Sequence, residues 1–121
     1  MKKAKKRTKT KFIIGTSGWN YPDWKNIFYP KNLKQKDWLV FYQTKFSIVE
    51  INATFYRYFN AKVFKAWRAK AKNKFKYIIK VNRYITHVKH LKNSKQSIRK
   101  FNNLVDLLGN KLALILLQLP P

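Results

Sequence analysis

Glu50 is the only glutamate in the 121 residues, and it stands inside an apolar run, Phe46-Ser-Ile-Val-Glu-Ile-Asn-Ala-Thr-Phe-Tyr-Arg57. Ile48, Val49 and Ile51 are β-branched, so the segment reads as a short buried strand. Alternation then puts Val49 and Ile51 on one face and Glu50 with Asn52 on the other. A carboxylate in that setting is costly unless a cation or hydrogen-bond donors meet it. Lys80 is a candidate partner, since it closes a second apolar strand, Phe75–Val81, in which Lys76, Ile78 and Lys80 alternate with Phe75, Tyr77, Ile79 and Val81. If the two strands are parallel neighbours, Glu50 can act as a general base or acid, with Lys80 stabilising its charged form. The competing reading is a buried ion bridge that fixes strand register.

Other polar and aromatic groups cluster after strand ends. Ser17, Trp19 and Tyr21 follow a first strand at Phe12–Gly15, in a loop where Gly15 and Gly18 permit tight turns and Pro22 stops regular structure. With Trp24 they either line a pocket or plug the end of a barrel, two readings of equal weight. Tyr56 follows the Glu50 strand, Arg83 and His87 follow the Lys80 strand, and Gln118 is the one polar interruption in the apolar run Leu112–Leu119. His87, His90 and Glu50 offer metal-ligand types, but a pair of histidines three apart in a loop has no special geometry, so no metal site is assigned. No phosphate-cradling glycine loop, dinucleotide fingerprint or nucleophile elbow is present, and no cofactor is indicated.

The elements that must position these residues follow from periodicity. A helix is expected near Lys34–Lys45 from Trp38, Phe41 and Tyr42. A second is expected from Val63, Phe64, Trp67 and Ala71, with Asn60 as N-cap. A third should begin at Ser94, with Ile98, Phe101, Val105 and Leu108 as its buried stripe and Gly109 at its C′ position. Asn82–His90 reads as a polar connection. Strands thus alternate with helices and no hairpin signal separates them, which demands right-handed crossovers and a parallel sheet. The last apolar strand ends at Pro120-Pro121 with no helix after it, as though a repeating β/α pattern were cut midway.

Charge and composition bound the remainder. Lys and Arg number 28 against 4 Asp and Glu, a formal net charge of +24. Such a field attracts phosphate backbones, but the lysines are spread along the chain and accompany abundant Asn, Ile, Phe and Tyr, which AT-rich codons alone would produce. At 45% hydrophobic residues the chain is too apolar for a disordered basic tail. Residues 1–11 read as a basic flexible arm ahead of a single domain over 12–121. The chain has no cysteine and no apolar run of bilayer length, so the expectation is a cytoplasmic protein that neither spans a membrane nor depends on disulfides.

Four blocks in order, Gly15-Thr-Ser-Gly-Trp-Asn-Tyr-Pro-Asp-Trp-Lys-Asn-Ile-Phe-Tyr-Pro30, Val49-Glu-Ile-Asn-Ala-Thr-Phe-Tyr56, Ile79-Lys-Val-Asn-Arg-Tyr-Ile-Thr-His87 and Leu117-Gln-Leu-Pro-Pro121, resemble the YecE-like proteins, domain of unknown function 72. That resemblance implies an α/β fold, a parallel βαβαβαβ sheet forming the N-terminal half of a TIM (β/α)8 barrel, since the whole fold takes roughly 250 residues. It also implies a site at the C-terminal ends of the strands. The residues selected are Glu50 and Lys80 as catalytic groups, with Ser17, Trp19, Tyr21, Asn52, Tyr56, Arg83, His87 and Gln118 for a polar or phosphorylated substrate. By fold analogy alone the chemistry would be that of a hydrolase, lyase or isomerase. The alternatives are a nucleic-acid-binding protein that uses the lysine field with Trp19, Tyr21 and Trp24, and an inactive remnant. The exposed edges of a half-barrel also invite self-association.

Overall fold

The computed structural model describes residue 4 and residues 6–121. Four parallel strands form one sheet in the order β1-β2-β3-β4: β1 (Thr16–Ser17), β2 (Ile48–Ile51), β3 (Lys76–Lys80) and β4 (Leu112–Leu116). Between them run α1 (Trp38–Tyr42), α2 (Ala53–Tyr56), α3 (Ala61–Lys70) and α4 (Lys95–Val105). Sequential order with every neighbour parallel is the arrangement of one half of a (β/α)8 barrel. Of the expected basic arm, residues 1–3 and 5 lie outside the described residues, and the remainder up to Lys11 is exposed and irregular.

Strand alternation within β2 and β3 is as the sequence implies, but Asn52, expected beside Glu50, lies past the strand in helical geometry (φ −81°, ψ −22°) ahead of α2 and lines a different cavity. Val49, Ile51, Tyr77 and Ile79 are buried against the helices. They pack with Leu39 and Tyr42 of α1, Phe64 and Trp67 of α3, and Phe101 and Val105 of α4 into one core. Ile48, Glu50, Ile78 and Lys80 are half-buried on the opposite, concave face. Residues Leu114–Leu117 of the β4 segment are exposed.

The helix positions follow side-chain pattern and capping. Asn60 caps α3 as expected, its Oδ1 accepting from the Val63 amide at 3.2 Å. α4 buries Phe101 and Val105. Ile98 departs from the expected stripe and is 40% exposed, because it lies on the first turn, ahead of the turns that pack on the core. Gly109 adopts φ 54°, ψ −128°, and a Cβ there would stand 3.1 Å from the Arg68 guanidinium, so the turn into β4 suits glycine on two counts.

Other boundaries differ from expectation. The first strand is not Phe12–Gly15 but the two residues after it, with Phe12 84% exposed. As an edge strand β1 meets only β2, and the pairing begins where Thr16 reaches Val49. Gly15 passes so close to Ile48 that a Cβ would lie 2.3 Å from its carbonyl oxygen. The Lys34–Lys45 helix shortens to a 3-10 turn over Gln35–Asp37 followed by α1, since the chain must swing Tyr42 under the sheet and then reverse into β2. The Tyr42 hydroxyl, fully buried, donates to the Ile48 carbonyl at 3.0 Å and meets the Thr16 amide and hydroxyl at 2.9 Å each, stitching β1 to β2. Asn82–His90 is no simple polar connection: Tyr84–Val88 form a π-helical turn that buries Ile85 and Thr86. The final strand stops at Leu116 rather than Leu119.

Candidate functional site

At the β1–β2 ends, register pairs Ser17 with Glu50. Ser17 Oγ donates to Glu50 Oε1 at 3.4 Å, and the Gly18 amide donates to the Glu50 carbonyl at 2.8 Å. The carboxylate faces the concave side, in a cavity of about 410 Å³ lined also by Ile13, Ile48, Ile78 and Leu114. The sequence expected Lys80 to meet it. Register instead sets Glu50 beside Ile78, leaving Lys80 one full pleat period farther along β3, about 6.6 Å. There the Lys80 ammonium lies 4.4 Å from the centre of the Phe55 ring. That ring is an attractive partner for a cation, and among the described residues no Glu50–Lys80 ion pair forms.

Phe55 is held by α2, the short helix that follows β2 without any linker. Thr54, buried, directs its hydroxyl at the carbonyls of Lys80 (2.7 Å) and Ile51 (2.9 Å). Asn82, also buried, donates from Nδ2 to the Thr54 carbonyl at 3.0 Å and accepts the Tyr84 amide on Oδ1 at 2.9 Å. These bonds clamp the end of β2 to the end of β3, and the clamp aims Phe55 between Lys80 and His87. The His87 ring meets Phe55 edge-on at 5.1 Å, and its Nδ1 lies 2.7 Å from Thr86 Oγ1. Neither Thr54 nor Asn82 was singled out from sequence. The available signal was a threonine and an asparagine just past apolar strands, where free backbone groups need partners.

A separate cleft of about 450 Å³ opens at the C-terminal ends of β1 and β2, lined by Trp19, Asn20, Tyr21, Asn52, Arg57 and Phe59 among others. Gly18, at φ 82°, makes the turn that admits Tyr21, whose hydroxyl donates to the Ser17 carbonyl. Trp19 packs edge-on to Trp67 at 6.5 Å and Asn20 accepts from Gln35 at 2.7 Å, so the rim is braced from beneath. The Arg57 guanidinium lies 4.5 Å above Phe59. Trp19 and Tyr21 line the cleft, whereas Trp24 packs with Phe28 and Tyr29.

The candidate residues therefore divide. Trp19, Tyr21 and Asn52 share the cleft, Ser17 joins Glu50 on the concave face, and Lys80 joins His87 around Phe55. Tyr56 is exposed beside Phe55, with ring centres 4.9 Å apart. Arg83 and Gln118 are exposed and line neither cavity. Arg57, Phe59 and Asn20 went unrecognised in the sequence because a loop's side-chain directions follow from the turns beneath it. Among the described residues no three of His, Asp and Glu lie close enough to hold a metal ion. No described helix is long and apolar enough to cross a membrane.

The family model described as a protein of unknown function, DUF72, matches residues 13–121. The chain belongs to the DUF72 family. The crystal structure of a DUF72 family protein, TM1631 from Thermotoga maritima, is 32% identical and superimposes with a TM-score of 0.75 over 89% of this chain. The match takes in 44% of that protein, so this chain spans less than half the length of its structural relative. No curated protein matches. This DUF72 chain accordingly carries a cleft at the β1–β2 ends, a second cavity on the concave face around Glu50, and the Thr54–Asn82 clamp between β2 and β3.

Proposed function

We propose that this DUF72 chain binds a small polar or phosphorylated molecule at the C-terminal ends of its strands, with Glu50 serving as general acid or base. The observation that carries the reading is the cleft, which Asn20, Asn52 and Arg57 line together with aromatic rings. A guanidinium already flattened on Phe59 loses little freedom when it engages a phosphate or carboxylate through two N–H groups. Trp19 and Tyr21 supply apolar walls for the rest of the molecule. Ser17 and Glu50 lie in the separate concave-face cavity, and their hydrogen bond there supplies the donor and the carboxylate for a proton-transfer role. Lys80, held over the Phe55 ring, is the cation at the end of β3 for charge that develops on the ligand.

The test is calorimetric titration with ribose 5-phosphate and with ribose, paired with a mass-spectrometric screen for conversion of phosphorylated sugars. The phosphorylated sugar should bind more tightly, and Arg57→Ala should remove that difference, about 10-fold or more for one charge-assisted contact. Glu50→Gln should leave binding intact and abolish conversion of any sugar that the unaltered chain turns over. Equal affinity for the two sugars, unchanged by Arg57→Ala, would overturn the cleft assignment. Conversion that survives Glu50→Gln would remove the acid-base role.

A further inference from the structure

A second surface lies outside both cavities. Tyr58 and Tyr84 are large rings left 47% and 39% exposed, on the segments that follow α2 and β3. Each has a lysine at its face: Lys100 Nζ lies 5.7 Å from the Tyr58 ring centre, and Lys89 Nζ 5.8 Å from that of Tyr84. Partial burial, and then the Tyr84 phenol beside it, raise the Tyr58 pKa above its ordinary value.

Through Lys100 this pair continues onto α4. Lys100 and Arg99 there border a groove of about 460 Å³ with Gln96, Asn103, Leu104 and Leu107. Neither α3 nor α4 contains an acidic residue. The acids Asp23 and Asp37 lie between β1 and α1, Glu50 is on the concave face, and Asp106 directly follows α4, next to the groove residue Leu107. Two exposed rings, each with a lysine at its face, and an apolar groove that Arg99 and Lys100 border combine the two things an unpaired polynucleotide needs, faces on which bases stack and cations that track phosphates. A duplex would hide its bases from the rings.

We infer that the Tyr58–Tyr84 pair and the Arg99–Lys100 groove of α4 form a binding surface for single-stranded nucleic acid. The surface is independent of the cleft, and it differs from the aromatic set read from sequence, in which Trp24 is packed away.

Fluorescence anisotropy with labelled (dT)12 and with a 12-base-pair duplex, each across a salt series, tests it. The single strand should bind more tightly, and Tyr58→Ala and Tyr84→Ala should each weaken it about 5- to 150-fold, the range for losing one stacked base. Tyr58→Phe should bind as the unaltered chain does. The paired reversal Arg99→Glu with Lys100→Glu should cost more affinity, and more of the salt dependence, than Lys31→Glu with Lys34→Glu, which changes net charge equally but sits before α1. Unfolding temperatures within a few degrees of the parent qualify each variant. Equal losses from the two charge reversals would reduce the binding to bulk charge and overturn the inference. So would tyrosine truncations without effect, or equal affinity for duplex and single strand.

Discussion

Replacing Asn82 by alanine tests whether the β2–β3 clamp organises the strand ends. The side chain is 3% exposed and makes two hydrogen bonds, to the Thr54 carbonyl and from the Tyr84 amide. The Thr54 carbonyl is buried, so stranding it costs about 1–3 kcal/mol. The Tyr84 amide is nearer solvent and recovers a water, which holds its loss to about 0.5–1 kcal/mol. The total, about 1.5–4 kcal/mol, is a large part of the roughly 5–15 kcal/mol that stabilises a typical domain. Unfolding entropy for 121 residues is on the order of 250 cal/mol/K, so each kcal/mol moves the midpoint about 4 °C. Circular-dichroism melts should therefore show Tm lower by about 6–16 °C. Thr54→Val, which deletes the hydroxyl directed at the Lys80 carbonyl, should be non-additive with Asn82→Ala by more than about 0.5 kcal/mol, since both loosen the same turn. Thr54→Ser, which keeps that hydroxyl, should lose only about 1 kcal/mol. A loss below about 0.5 kcal/mol for Asn82→Ala, or strict additivity with Thr54→Val, would refute the clamp as the device that aims Phe55 and Lys80.

Two further outcomes follow from buried phenols. Tyr42→Phe strips the hydroxyl shared by Ile48 and Thr16, and should destabilise by about 2–3 kcal/mol in denaturant titration, with β1 amides losing hydrogen-exchange protection before the rest of the sheet. Tyr77 lies wholly within the core, its hydroxyl bonded to the Trp67 carbonyl at 2.7 Å, and burial raises its pKa above the usual tyrosine value. The folded state thus keeps a proton that the unfolded chain gives up near pH 10, so stability is full below that pH and falls above it, by up to about 1.4 kcal/mol per pH unit. Melts between pH 9 and 11.5 should show this decline, reduced in slope by Tyr77→Phe. A midpoint that stays flat across that range would contradict the assignment.

How much was legible beforehand depends on the range of the forces involved. The strand–helix alternation, the Asn60 cap and the faces of Val49, Ile51, Tyr77 and Ile79 could be read because they depend on local period and on near neighbours in the chain. The Glu50 orientation was legible for the same reason. Its distance from Lys80 was not, because register between strands is a relation across the sheet, and a shift of two residues keeps each side chain on its face while separating the charges. The π-helical turn at Tyr84–Val88 was concealed by a polar surface pattern. Ile85 and Thr86, which it buries, find their places only against the finished core.

Sequence by itself determined the fold class, the parallel order and which strand faces carry polar groups, since each is written in periodicities of two and 3.6 and in four recognisable blocks. Only the tertiary structure decided that the candidate residues fall into three groups, that Lys80 rests on Phe55, and that Thr54 and Asn82 hold the strand ends together. Side chains that far apart in the chain are brought into contact by packing alone, and the partner a buried polar group takes is whichever one the finished core leaves within about 3 Å of it.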